Sequence, residues 1–176
     1  MKKFLINLKA SVLKDKSNIS SEISKILLRN ALKVSIAESC TGGLISSRLT
    51  DIAGSSAYIT ANFVTYSNKA KQKFLNVSKE TLETYGAVSE QCAREMASGL
   101  MQLTKSDIVI CTIGVAGPSA SENKPVGLIY IACAYKDSVT VKEVKLDENY
   151  NRKNMKFMFS EAALNMLLDT LKSLNL

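Results

Sequence analysis

Between Asp107 and Gly117 the chain reads "DIVICTIGVAG", an almost unbroken apolar run rich in β-branched residues. A strand with one wet face alternates apolar and polar residues, whereas a strand covered on both faces does not need to. The run therefore predicts a central strand with helices packed above and below its sheet. No other feature of the sequence constrains the fold as strongly, and the rest of the chain supplies the layers it demands.

Residues 21–32 carry apolar positions at helical spacing behind a serine-rich start suited to capping. "KVSIAES" then alternates and breaks into "CTGG", predicting strand, turn and a helix over "GLISSRLTDI" that "AGSS" stops. "AYITANFVTYS" is β-branched and aromatic and reads as a strand, followed by a short helix over "NKAKQKFLNV". Ser78 and Ser89 sit where they can cap two more helices, the first closed by Gly86. "VGLIYIACAY" and "SVTVKEVKL" predict a hairpin joined through "KDS", and a long amphipathic helix runs from about Arg152. This order predicts one α/β domain over residues 1–176, a three-layer α/β/α sandwich with a mixed central sheet. Residues 1–17 interleave lysines with apolar positions and read as an N-terminal helix or arm rather than a secretory signal.

Composition narrows the chemistry. The 176 residues carry a formal charge of +7, but the lysines are scattered, with no arginine cluster or basic-aromatic alternation. A solvated lysine-rich surface is the better reading, and nucleic acid is not the expected partner. No apolar run is long enough to span a bilayer. Cys40, Cys92, Cys111 and Cys133 form no C-x-x-C pair, which suits small buried hydrophobes in a reducing cytoplasm. There is no histidine at all, which removes the usual general base, both histidine-dependent nucleophile systems and most zinc sites. Acid–base chemistry would fall to Lys, Asp, Glu, Tyr or a ligand group, and neither a metal nor a cofactor is expected.

Three turns rich in glycine or polar residues, each at a strand end, suggest one shared cleft. In "AESCTGG", Ser39 stands at a strand-to-helix junction whose free N–H groups favour an anion or a developing oxyanion. Ser39 is there either a helix cap or a nucleophile. In "TYSNKAK", Lys69 and Lys71 open a helix; they are either surface lysines or a base whose pKa is lowered by the helix end and a dry pocket. A Ser–Lys pair, with tyrosine as a possible proton relay, is the nucleophile system open to a chain without histidine. The third turn, "GVAGP", ends the apolar run at the sheet edge where α/β proteins bind ligands, and "KPVG" leads into the next strand.

Together, "AESCTGGLISSRLTDIAGSSA", "FVTYSNKAK", "YGAVSE", "GVAGP" and "KPVG" resemble the CinA C-terminal family, in order and spacing, from about residue 20 to the last helix. That family contains the nicotinamide-nucleotide amidohydrolases. The resemblance implies hydrolysis of the carboxamide of nicotinamide mononucleotide to nicotinic acid mononucleotide and ammonia. It also implies Ser39 as nucleophile, with Lys71 taking its proton directly or through Tyr66. Thr41, Gly42, Gly43, Asn68, Gly114, Ala116 and Gly117 are then the expected substrate-binding positions, and self-association is expected. The chain departs from the family pattern at Ile113, where Thr or Ser is usual, and in the shorter loop "SASEN". It departs again at Asn62 in place of glycine, and at Arg152 and Lys156 where an arginine pair is common. These departures motivate an alternative, a nucleotide-binding or regulatory module of the same fold with weakened catalysis.

Overall fold

The computed structural model describes residues 19–174; the expected N-terminal helix or arm over residues 1–17 lies outside them. The first helix, α1, includes residues 19–29. It is followed by β1 (Val34–Glu38), α2 (Leu44–Thr50), a 3-10 turn (Ser55–Ala57), β2 (Ile59–Val64) and α3 (Asn68–Leu75). The chain continues through α4 (Lys79–Thr84), α5 (Glu90–Thr104), β3 (Ile108–Gly114), β4 (Leu128–Tyr135), β5 (Ser138–Lys145) and α6 (Arg152–Ser173). The order of elements matches the sequence reading throughout.

The five strands form one mixed sheet in the order β2-β1-β3-β4-β5. β1 pairs in parallel with both β2 and β3, while β3–β4 and β4–β5 are antiparallel. "DIVICTIGVAG" is thus the middle strand, as its apolar run requires. Its alternate residues serve opposite faces: Ile108 and Ile110 join Ile23, Leu27, Ile45, Phe159 and Leu164 from α1, α2 and α6. Val109, Cys111 and Ile113 join Leu75, Met96 and Leu100 from α3 and α5. Both faces are dry, so truncating one of these side chains to Ala would cost about 2–5 kcal/mol.

Local chemistry sets the helix ends. Ser67, Ser78 and Ser89 each accept a hydrogen bond from the backbone N–H three residues on, capping α3, α4 and α5. Gly99 lets α5 and α3 touch: a Cβ there would stand 1.8 Å from the Leu75 carbonyl oxygen. Glu95 on α5 accepts from the Ser78 N–H at 2.7 Å and the Thr81 hydroxyl at 2.6 Å, pinning α4.

One consequence of the topology matters for the site. Because β1, β2 and β3 are mutually parallel, their carboxyl ends lie along one edge of the sheet. The turns after Glu38, Val64 and Gly114 therefore converge.

Candidate active site

Glu38, the last residue of β1, is fully buried. Its carboxylate accepts from the N–H groups of Gly43 (2.9 Å), Ile45 (3.1 Å) and Ser46 (2.9 Å), and from the Ser46 hydroxyl (2.7 Å). An acid from the preceding strand thus fills the N-terminus of α2. This corrects the expectation that the Gly42–Gly43 turn offers free N–H groups to an anion. It also removes the capping role from Ser39 and Thr41: Gly43 is the N-cap residue and provides no side-chain cap. The Thr41 hydroxyl is buried against the Thr112 hydroxyl at 2.9 Å.

Ser39 continues the β1–β3 ladder through its N–H to the Thr112 carbonyl at 3.1 Å. That bond turns its side chain toward α3, where Lys71 Nζ lies 3.3 Å from Ser39 Oγ. Lys71 is only 1% exposed and also donates to the Thr65 carbonyl at 2.8 Å. Burial holds its pKa below the ordinary lysine range, partly opposed by Cys92, Cys40 and Glu122 nearby. The cause is burial in the core rather than the helix end, since Lys71 is the fourth residue of α3. A neutral amine carries two hydrogens: one goes to the Thr65 carbonyl, one remains, and the lone pair can face the Ser39 hydroxyl.

The pair opens into a cavity of roughly 220 Å³ walled by all three turns, with Ala87, Val88, Ser121, Glu122 and Arg152. Asn68, Gly114, Ala116 and Gly117 line it, as does Tyr66. Thr41, Gly42 and Gly43 do not line it, a correction to their expected place: the Thr41 hydroxyl meets Thr112, the Gly42 N–H donates to the Ser39 carbonyl at 3.2 Å, and the Gly43 N–H donates to Glu38. Tyr66 is 61% exposed, and its hydroxyl accepts from Arg152 at 2.8 Å, so it stands at the rim rather than between Ser39 and Lys71. Arg152 also donates to the Gly117 carbonyl, bridging two of the turns from the first position of α6.

Cys40 shares the cavity, but burial pushes its thiol up to about 12, so it stays protonated near neutral pH. All four cysteines are free and buried. Ile113, also in the cavity wall, is 3% exposed and puts an apolar side chain there. In the sequence Arg152 stands out only as a departure from the family pattern, and Glu122 only as part of "SASEN". Neither belongs to a local spacing pattern: Arg152 lies 86 positions from the tyrosine it bonds. The motif "YGAVSE" was a signal for Ala87 and Val88, though not for what they wall.

The fold and this geometry define a class: a three-layer α/β protein with a buried serine–lysine pair where parallel strand ends meet. Residues 16–171 match the model of the CinA C-terminal domain, and the chain belongs to that family. It is 47% identical over 150 residues to a CinA-like protein of Chlorobium phaeobacteroides, covering 83% of this chain and 36% of that protein. A second CinA-like protein, from Chloroherpeton thalassium, is 46% identical over 165 residues, covering 88% of this chain and 38% of the relative. The chain thus spans a little over a third of the length of these relatives. Among solved structures, the competence/damage inducible protein CihA of Agrobacterium tumefaciens superposes with a TM-score of 0.85 at 39% identity, covering 90% of this chain and 96% of that one. A CinA superfamily protein of Escherichia coli gives 0.83 at 32% identity, covering 87% and 88%. No helix among the described residues is long and apolar enough to cross a membrane.

Proposed function

We propose that this chain is an amidohydrolase that cleaves the carboxamide of nicotinamide mononucleotide. The observation that carries the reading is the buried lysine amine 3.3 Å from a serine hydroxyl inside a cavity. Lys71, whose ammonium form burial disfavours, takes the Ser39 proton in its neutral form as Oγ attacks the amide carbon. The N–H of Cys40, which follows the nucleophile directly and lines the cavity, is the backbone donor for the oxyanion that forms. Collapse breaks the C–N bond, and the Lys71 ammonium gives its proton to the departing amide nitrogen, which leaves as ammonia. Water then attacks the acyl-serine ester and returns a proton to Lys71. The ester C–O bond breaks as Lys71 passes that proton to Ser39 Oγ, leaving nicotinic acid mononucleotide, the serine hydroxyl and the neutral amine. Each step uses groups of this chain and water, so the scheme needs no cofactor.

Arg152, which lines the cavity, is a cation suited to the phosphate, and it would exchange its Tyr66 and Gly117 partners for phosphate oxygens. A cytoplasmic setting and self-association accompany this reading.

Ammonia release from the mononucleotide is the direct test. Ser39→Ala and Lys71→Met should each reduce turnover by at least ~10³-fold, as loss of a nucleophile or its base does. Equal release by wild type and Ser39→Ala would remove the reading. Ile113 favours one second reading, a nucleotide-binding module with little turnover. Its mark is a melting temperature raised by the mononucleotide without ammonia release, and a gain of activity in Ile113→Thr would show that this side chain limits catalysis.

A further inference from the structure

The loop after "GVAGP" folds back on itself through Ser121 and Lys124, whose backbones exchange hydrogen bonds at 3.2 and 2.8 Å. The two residues between them, Glu122 and Asn123, both hold left-handed conformations, with φ of 52° and 58°. A tight turn of this kind favours Asn-Gly, and glutamate in its first left-handed position costs on the order of 1 kcal/mol. The strain holds one carboxylate in a particular place. Glu122 Oε2 accepts from the Val88 N–H at 3.2 Å, just ahead of α5. Gly86 leaves room for it: a Cβ at that position would stand 2.8 Å from the same oxygen. The anchored residue lines the cavity that holds Ser39, Lys71 and Arg152. A strained, anchored acid in a cavity wall points to a ligand contact more than to loop closure, which Asn-Gly would achieve without strain.

From these contacts we infer that Glu122 is a specificity residue, selecting an amide substrate whose ring carries a positive charge. The inference rests on the amidohydrolase reading and deepens it. Arg152 supplies a cation and Glu122 an anion to one cavity, so the ligand they suit is bipolar, with an anionic group at one end and a cationic ring bearing the amide. The pyridinium of an oxidised nicotinamide nucleotide has that character, and its reduced dihydropyridine counterpart, neutral in the ring, does not. After hydrolysis the new carboxylate shares the cavity with Glu122, and the repulsion favours product release.

The test compares oxidised and reduced nicotinamide mononucleotide on wild type, Glu122→Gln and Glu122→Ala, and measures calorimetric binding in the Ser39→Ala background. Glutamine keeps an acceptor for the Val88 N–H and removes only the charge. The preference for the oxidised ligand should fall at least tenfold in Glu122→Gln, about 1.4 kcal/mol, in binding and in KM alike. Comparing each variant's ratio of the two ligands cancels the greater intrinsic reactivity of the oxidised amide. An unchanged preference in Glu122→Gln, with a loss of melting temperature only in Glu122→Ala, would reduce Glu122 to a loop anchor. No binding of either ligand would also overturn the inference. Binding preference lost in Glu122→Gln without ammonia release in wild type would sink the hydrolase reading and leave this one standing.

Discussion

Lys71 has two polar partners, the Thr65 carbonyl and the Ser39 hydroxyl, and almost no water. Its pKa is lowered on folding, so in the window between the lowered and ordinary values the unfolded chain binds more protons than the folded one. Stability should therefore rise with pH through that window, because the cost of burying an ammonium disappears as the amine deprotonates. Lys71→Met should abolish this rise, as thermal melting over a pH series would reveal. Activity shares the sign: the base must be neutral, so kcat/KM should climb with pH on a limb below the ordinary lysine pKa. Removing the nearby carboxylate charge in Glu122→Gln should move that limb to lower pH, since an anion favours the ammonium. Glu38→Ala should cost about 2–3 kcal/mol in denaturant unfolding, having stripped α2 of its carboxylate partner. At this scale Ser39 and Lys71 were legible as a candidate pair because no histidine competes for the role. That Glu38 caps α2 was not, since a carboxylate at a strand's end reaching past four residues has no spacing signature.

Elements were the most legible level. Serine caps, β-branched runs and glycine stops are local signals, and Ser67, Ser78 and Ser89 act locally. Helix contacts are another matter. Gly99 reads as a weakness inside α5, yet it is where α5 meets the end of α3. Gly99→Ala would force the two helices apart, an overpacking cost of about 1–3 kcal/mol or more. Because α3 carries Lys71, turnover should fall further than the lost stability alone explains, a result that ammonia release below the melting transition would detect. Arg48 on α2 is likewise invisible as a buried residue from sequence. It is fully enclosed, donating to the Ser160 hydroxyl at 2.7 Å and pairing with Glu161, with its guanidinium 4.9 Å from the Phe157 ring.

Across the whole molecule, the cavity is made where parallel strand ends, a strained loop and the start of α6 meet. Arg152 ties that assembly together through Tyr66 and the Gly117 carbonyl. Arg152→Ala should raise KM for the mononucleotide by ~10–100-fold, the value of a charge-assisted contact. The effect should shrink for the dephosphorylated nucleoside, and steady-state kinetics on the two substrates would show it. The sequence by itself determined the element order, the two-faced middle strand and the chemical types available to a chain without histidine. These follow from near-neighbour periodicity and composition, which folding does not alter. Tertiary structure alone decided which polar groups meet: Glu38 took the helix end expected to bind an anion, Tyr66 went to the rim, and Arg152 and Glu122 entered the cavity. Such meetings depend on strand order and on distances between residues far apart in the chain, and no local pattern encodes them.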